Sequence, residues 1–119
     1  MRILNRETGT VISDVEHKTG PLQKFLGLRF RSDGRALFSF DRPTRAPIDM
    51  VFVPQPLDIA FLDDEMNVME IHGAHPVTFN PDTWRSYRPD EPYTYALEVE
   101  AGLLPYLGFD TGHRLKKLD

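Results

Sequence analysis

Residues 45–63 read RAPIDMVFVPQPLDIAFLD, in which two short apolar runs are separated by a Pro-Gln-Pro break. Each run alternates and is rich in strand-forming side chains, which is typical of β-strands. We therefore predict two strands, at residues 48–53 and 57–62, with a kink between them. Each predicted strand carries one carboxylate, Asp49 or Asp58, and a carboxylate in an apolar strand is costly unless it is paired or used. These two residues are the first candidates for a site.

The flanking sequence predicts more strands and tight turns. Alternating or apolar runs indicate strands at residues 36–40, 68–72, 93–100 and 114–118. A hairpin is predicted for residues 1–15 around Glu7-Thr8-Gly9, and a second joins residues 57–62 to 68–72 through a polar loop. Residues 73–92 contain four prolines together with Trp84 and Tyr87, and we expect an irregular covering segment whose aromatic side chains pack on the core.

One short amphipathic helix is predicted between the hairpin at residues 1–15 and the strand at residues 36–40. Thr19 is a suitable N-cap, Pro21 suits the first turn, and Gly27 suits a left-handed C-cap. The apolar residues between them have helical spacing and are Leu22, Phe25 and Leu26. A single further helical turn is expected at residues 103–107.

These elements predict one domain over residues 1–119, of the α+β class and mainly β. Seven or eight short strands would form a curled, mostly antiparallel sheet tending to a barrel, with one or two short helices. Antiparallel pairing is expected because the connections look too short for crossover helices. A chain of 119 residues should bury roughly 65% of the surface that its unfolded form exposes, enough for one core.

Composition narrows the functional classes. The chain has no cysteine, which excludes disulfides, a thiol nucleophile and a cysteine-based zinc site. No apolar stretch is long enough for a signal peptide at the start or for a membrane span elsewhere. We therefore expect a cytoplasmic protein with no membrane partner.

Charge is unevenly distributed along the chain, whose net charge is −4. Residues 17–45 contain seven Lys or Arg against two Asp, giving +5, whereas residues 46–110 contain two Arg against twelve acidic residues, giving −10. The two segments either neutralise each other in the fold or leave residues 17–45 as a basic face for an acidic protein partner. Nucleic-acid binding is not expected.

Several segments resemble an uncharacterised family of bacterial and archaeal proteins, domain of unknown function 192. The resemblance runs from about Lys18 to Lys117. It is carried by residues 22–31, by PLDIAFLD at residues 56–63 and by YALEVEAG at residues 95–102. Before Pro56 the chain is similar to the shorter archaeal type and lacks the Phe-Trp-Met-Lys-Asn-Thr motif of many bacterial members. The resemblance implies a fold but no activity.

The candidate ligand-binding residues are Arg45, Asp49, Met50, Asp58 and Trp84. Asp58 either binds a polar ligand or accepts backbone hydrogen bonds from the Pro-Gln-Pro loop. Asp49 and Arg45 either form a polar binding pair at a strand entrance or an ordinary solvated ion pair. Met50 would add an apolar wall, and Trp84 would belong to the cover.

No motif indicates catalysis or a bound cofactor. The chain has no nucleophile elbow, phosphate-binding loop or dinucleotide fingerprint. Glu70, His72 and His75 have a spacing that metal sites use, but the geometry does not suit one strand face, so no metal site is predicted. The sequence favours a small soluble binding module for an unidentified polar molecule. The alternatives are an interaction subunit that uses the basic face and an enzyme that uses Asp58 with Asp49.

Overall fold

The chain forms ten β-strands and two short α-helices, and the computed structural model describes all 119 residues. The strands are β1 (Arg2–Asn5), β2 (Val11–Ile12), β3 (Val15–Lys18), β4 (Arg35–Thr44), β5 (Ile48–Asp49), β6 (Leu57–Leu62), β7 (Val68–Ala74), β8 (Ser86–Tyr87), β9 (Tyr93–Glu100) and β10 (Leu115–Leu118). The helices are α1 (Pro21–Leu26) and α2 (Leu103–Tyr106), and one turn of 3-10 helix covers Pro81–Thr83. None of these helices is long and apolar enough to cross a membrane.

A five-stranded sheet in the order β3-β4-β9-β6-β7 forms the centre of the fold. A three-stranded sheet, β10-β1-β2, lies beside it, and β5 pairs with β8. Every strand pair is antiparallel except β3 with β4. The sheets do not close into a barrel. The predicted mainly β class with mostly antiparallel pairing is therefore confirmed.

Two hydrophobic clusters cover the two faces of the central sheet. One joins Leu37 and Leu97 to residues of the β10-β1-β2 sheet and to Leu104 of α2. The other joins Phe61 and Ala96 to side chains from the segments that follow α1 and β5. Because both faces are covered, every residue of β6 is buried. A polar side chain on either face of β6 or β9 therefore lies inside the protein.

Most of the predicted strands are confirmed. The strands at 57–62 and 93–100 have the predicted bounds, and the two predicted hairpins form through the β1–β2 and β6–β7 pairs. The strand predicted at 48–53 is shorter and ends at Asp49. The next residues turn: the Val51 N–H donates to Asp49 Oδ1 at 2.9 Å, and Phe52 adopts a left-handed conformation with φ of 60°. Extended structure therefore does not continue to residue 53.

The expectation that no crossover helix forms was wrong. Strands β3 and β4 are parallel, and the connection between them, residues 19–34, contains α1. A crossover needs about a dozen residues, and this six-residue helix with its flanking turns is long enough. The helix begins after Gly20 rather than Thr19, and the Gln23 side chain accepts hydrogen bonds from both backbone N–H groups.

The apolar side chains of helix α1 stay largely exposed instead of entering the core. Leu22 is 69% exposed and Phe25 is 66% exposed, and no residue of the helix is buried. The amphipathic pattern correctly located the helix, but helical spacing alone does not say what its apolar face contacts. The next apolar residue, Leu28, is buried and joins the second cluster.

The basic segment at residues 17–45 is largely neutralised within the fold. Arg29 pairs with Asp49 and Arg35 pairs with Glu100, so two of its cations meet the acidic part of the chain. Lys18 and Arg31 both pair with Glu16. Four of the seven cations are thus in ion pairs, which favours charge balance over an open basic face.

Candidate functional site

The candidate site is a cavity of about 250 Å³ between α1, β4, β9 and residues 46–49. Its walls are mainly apolar, with aromatic rings from Phe25, Phe38, Phe40 and Tyr93. The charged residues that line it are Lys24, Arg29, Asp49 and Glu98. An apolar cavity with a few convergent polar groups is the usual form of a small-molecule site.

Glu98 lies in the central strand of the sheet and is 4% exposed. Across the sheet it pairs with Ala36 on one side and Ile59 on the other, so no polar neighbour comes from the adjacent strands. Its carboxyl group forms no hydrogen bond or ion pair within the protein. Burial raises the pKa of Glu98 to about 7, opposed by the Arg29 guanidinium and assisted by the Asp49 carboxylate. The group therefore changes protonation state near neutral pH.

Arg29 and Asp49 form a two-pronged ion pair at the cavity wall. Arg29 Nη1 donates to Asp49 Oδ1 at 2.7 Å, and Nη2 donates to Oδ2 at 3.0 Å. Arg29 also donates through Nε to the carbonyl of Phe25 at 2.8 Å and through Nη1 to the carbonyl of Val51. The paired guanidinium holds the pKa of Asp49 below its usual value, and the carboxylate raises that of Arg29. Both side chains are thereby fixed in place and charged.

Lys24 and Tyr93 have partners of their own. Lys24 Nζ donates to the carbonyl of Ser39 at 3.1 Å and lies 4.3 Å from the centre of the Phe40 ring. The Tyr93 hydroxyl donates to the carbonyl of Ala46 at 2.5 Å, and burial raises the pKa of Tyr93 to about 12. Glu98 is thus the only charged side chain of the cavity without a partner in the protein.

Local backbone geometry shapes the cavity entrance. Gly27 ends α1 with φ of 48°, and an added Cβ there would lie 3.0 Å from a ring carbon of Phe38. Phe30 and Phe52 are also left-handed; the Phe30 N–H donates to the Phe52 carbonyl at 2.6 Å, and their rings stack at 5.1 Å. These contacts join the segment after α1 to the segment after β5, which brings Arg29 beside Asp49.

The structure brings one of the five sequence candidates, Asp49, into the cavity. The predicted pair of Arg45 with Asp49 does not form, because Asp49 pairs with Arg29 and Arg45 donates to the carbonyl of Asp90 at 2.9 Å. Met50 is fully buried in the second cluster and does not line the cavity.

Asp58 lies on the other face of the sheet from the cavity. It alternates along β6 with Leu57 and Ile59, which belong to the second cluster, and its side chain meets α2. Asp58 Oδ2 accepts the backbone N–H groups of Gly102 at 3.0 Å and Leu104 at 3.1 Å. The expected hydrogen bonds from the Pro-Gln-Pro loop are replaced by bonds from the start of α2. Asp58 and Asp49 therefore do not form a pair.

The remaining candidates lie elsewhere. Trp84 is 64% exposed and borders a separate open depression, with its indole N–H donating to the carbonyl of Thr78 at 2.8 Å. It does not pack on the core as expected, whereas Tyr87 does. His72 bonds to Glu70 at 2.8 Å, and no three His, Asp or Glu side chains are grouped as metal ligands would be.

Glu98 and Arg29 were missed by the sequence reasoning. The alternation of residues 93–100 indicated a half-exposed strand, with Glu98 on its polar face together with Thr94. The informative signal was the apolar run of residues 57–62, which is interrupted only by Asp58 and is typical of a strand covered on both faces. Because β9 pairs with this strand, it is also covered on both faces, and its Glu98 therefore lies in the interior.

Chemically, the cavity combines mainly apolar walls with one carboxyl group, Glu98, that has no partner in the protein. Neutral Glu98 can donate and accept, and ionised Glu98 accepts only. The surrounding charges are fixed by their own partners, so a bound molecule would interact mainly with Glu98 and the walls.

Curated relatives of this chain come from archaea. A UPF0127 protein of Thermococcus sibiricus is 28% identical over 97 residues, which are 78% of this chain and 58% of that protein. A UPF0127 protein of Pyrococcus abyssi is 26% identical over 98 residues, which are 80% of this chain and 78% of that protein. The chain thus matches a little over half the length of the Thermococcus relative.

Two solved structures share the fold. A Sinorhizobium meliloti protein, provisionally assigned as a transcription regulator, has a TM-score of 0.80 and 28% identity, covering 97% of this chain and 89% of that one. A Novosphingobium aromaticivorans protein of unknown function has a TM-score of 0.80 and 24% identity, covering 98% and 82%. The family model of domain of unknown function 192, described as an uncharacterized ACR, matches residues 3–117. This chain therefore belongs to the family called domain of unknown function 192.

Proposed function

We propose that this protein binds a small molecule in the cavity between α1 and β9. The observation that carries the proposal is the buried carboxyl of Glu98, which lines the cavity and has no partner in the protein. The fully enclosed polar atoms without a partner are Gln55 Nε2 and Thr94 Oγ1, so the unpaired carboxyl oxygens of Glu98 are open to whatever fills the cavity. A bound molecule would supply the missing partner.

The size and shape of the cavity support a small ligand. Its volume of about 250 Å³ is below the range of drug-sized sites, which is roughly 300–1,000 Å³. Nine of its fifteen lining residues are hydrophobic, so most of the ligand surface would be apolar. We therefore infer a molecule with a short apolar body and one polar end.

The proposal is tested by titrating the labelled protein with four-carbon probes and following its amide chemical shifts. The probes are butan-1-ol, butyramide, sodium butyrate and butylammonium chloride. Probes of about five non-hydrogen atoms bind weakly, so millimolar affinity is expected. We expect saturable shifts at residues 24–29, 46–49 and 93–98 with at least one probe.

A cavity-filling variant provides the control. Ile48→Trp enlarges a half-buried residue of the cavity wall and should abolish the shifts. Val11→Trp adds the same side chain at the exposed residue of strand β2 and should leave them unchanged. Absence of saturable shifts with all four probes would contradict the proposal.

A second candidate is a protein–protein contact through the outer surface of α1 and the adjoining turns. The observation that favours it is the group of exposed apolar side chains there, Leu22, Phe25, Leu26, Phe30 and Phe52. Clustered apolar exposure of this kind often marks an interaction surface. Sedimentation velocity over a range of concentrations tests self-association, and Phe30→Ser should weaken any association that uses this surface.

Nucleic-acid binding, which the provisional assignment of the Sinorhizobium protein would suggest, has less support. The chain is acidic, and four of the seven cations in its basic segment are in ion pairs. Nucleic-acid binding usually relies on free Lys and Arg against phosphates. The small-molecule proposal agrees better with these charges.

A further inference from the structure

We propose that the ligand of the cavity is a small aliphatic amine, bound as its ammonium ion against the carboxyl of Glu98. This inference rests on the proposed small-molecule function and adds the chemical class of the ligand. It follows from three features of the cavity: the unmatched carboxyl, the fixed cations and the aromatic walls.

One carboxyl group of the cavity, that of Glu98, has neither a hydrogen-bond partner nor an ion-pair partner in the protein. Arg29 is matched by Asp49 through two hydrogen bonds, and its other contacts are backbone carbonyls. Lys24 is bound to a backbone carbonyl and an aromatic ring. Neither cation forms an ion pair with Glu98, which remains as the one group able to receive an external cation. A buried carboxylate is stabilised most by a partner that is both charged and hydrogen-bonding.

The aromatic walls also suit an ammonium ion. Rings of Phe25, Phe38, Phe40 and Tyr93 line the cavity, and ring faces attract cations within about 6 Å of their centres. Lys24 already shows the contact, with its ammonium 4.3 Å from the centre of Phe40. The hydroxyl of Tyr93 is engaged by the carbonyl of Ala46, so this residue contributes its ring rather than a free donor.

A carboxylate ligand is disfavoured by the same groups. It would place a further negative charge beside Glu98 and Asp49, and its cationic partner would have to be Lys24, because Arg29 keeps only one donor, on Nη2, without a protein acceptor. A neutral alcohol would satisfy the hydrogen bond but leave the charge of ionised Glu98 uncompensated. Of these three ligand classes, only the amine supplies both a hydrogen bond to Glu98 and a charge that compensates its carboxylate.

Amine binding should depend on pH through Glu98. With its pKa raised to about 7, Glu98 is mostly neutral at pH 5 and mostly ionised at pH 8, so the ammonium ion binds more tightly at the higher pH. The other ionisable groups facing it are Lys24, Arg29, Asp49 and Tyr93. The pKa shifts of Arg29, Asp49 and Tyr93 all move away from this pH range.

The test compares butylammonium, butan-1-ol and butyrate by the amide-shift titration at pH 5 and pH 8. In the wild-type protein at pH 8, we expect butylammonium to bind at least about tenfold more tightly than butan-1-ol, as for a desolvated charge pair. Its affinity should rise at least about tenfold from pH 5 to pH 8, whereas that of butan-1-ol should not change. Butyrate should bind most weakly.

Glu98→Gln keeps the size of the side chain and removes its charge. In this variant we expect butylammonium and butan-1-ol to bind equally tightly, with no change of either affinity with pH. That result would assign the pH dependence to Glu98 rather than to Lys24. Butyrate or butan-1-ol binding as tightly as butylammonium would overturn the amine assignment and leave the cavity function intact. Saturable binding of no probe would instead remove the cavity function itself. The wild-type pH series decides the question even if the variant does not fold.

Discussion

The cavity carboxyl should lower the stability of the fold as pH rises, and Glu98→Gln should remove that dependence. Most carboxyl groups of folded proteins have lowered pKa values, and each of them stabilises the fold at pH values above its pKa. Glu98 has the opposite shift, because burial raises its pKa from 4.5 to about 7. Below pH 4.5 the group is protonated in both the folded and the unfolded chain. Between pH 4.5 and pH 7 the unfolded chain is ionised at this position while the folded chain is largely protonated, so the free energy of unfolding falls as the pH rises and levels off above pH 7.

The size of the effect follows from the two pKa values. The free energy of unfolding of the wild-type protein should fall by about 2.5 kcal/mol, through Glu98 alone, between pH 5 and pH 8. A glutamine at this position is uncharged at both pH values and contributes no such change. The variant should therefore gain stability relative to the wild type by about 2.5 kcal/mol over this range.

Urea unfolding of both proteins at pH 5 and pH 8 measures this difference. Other titrating groups, including the four histidines, are common to the two proteins and cancel in the comparison. A difference between variant and wild type that is the same at both pH values would refute the argument, since it would mean that Glu98 ionises in the folded protein at the same pH as in the unfolded chain. The measurement is made without ligand, so it tests the cavity electrostatics independently of amine binding.

Three further changes test the supporting structure by thermal or urea unfolding. Asp58→Ala should lower the free energy of unfolding by about 3 kcal/mol, because it leaves two backbone N–H groups at the start of α2 without their acceptor. Its control, Asp64→Ala in an exposed loop, should change the free energy of unfolding by less than about 0.5 kcal/mol. Gly27→Ala should lower the free energy of unfolding by about 2 kcal/mol, because its Cβ would lie 3.0 Å from an aromatic ring and its φ is positive. Gly9→Ala has the strain of a positive φ without the contact and should lower it by about 1 kcal/mol. Tyr93→Phe should cost about 1–2 kcal/mol through the lost hydrogen bond of its buried hydroxyl. Equal values for the two glycine variants, or an unchanged Asp58→Ala, would contradict these assignments.

The central strands could be predicted from the sequence because their patterns are local. The run at residues 57–62 and the alternation at residues 93–100 gave the observed bounds of β6 and β9. Turn residues likewise located the hairpins. A strand pattern needs only its own residues, and both strands are long enough for the period to be clear.

The site was less predictable because it depends on contacts between distant segments. Arg29 reaches Asp49 only after α1 crosses over and the turns at Phe30 and Phe52 meet. The exposure of the apolar side chains of α1 was also hidden, since helical spacing identifies an apolar face but not what covers it. The burial of Glu98 depends on the layers above and below β9, which its own alternation does not encode.

The way in which Arg29 is held is the strongest structural argument that Glu98 is kept available. Arg29 lies close enough to oppose the rise in the pKa of Glu98, yet it forms no hydrogen bond or ion pair with that carboxyl. Instead, its donors are occupied by Asp49 and by the carbonyls of Phe25 and Val51. An apolar side chain at position 98 would avoid the cost of burying an unpaired carboxyl. The fold retains the carboxyl and fixes the nearby cation elsewhere, which is the arrangement expected of a group reserved for a partner from outside the protein.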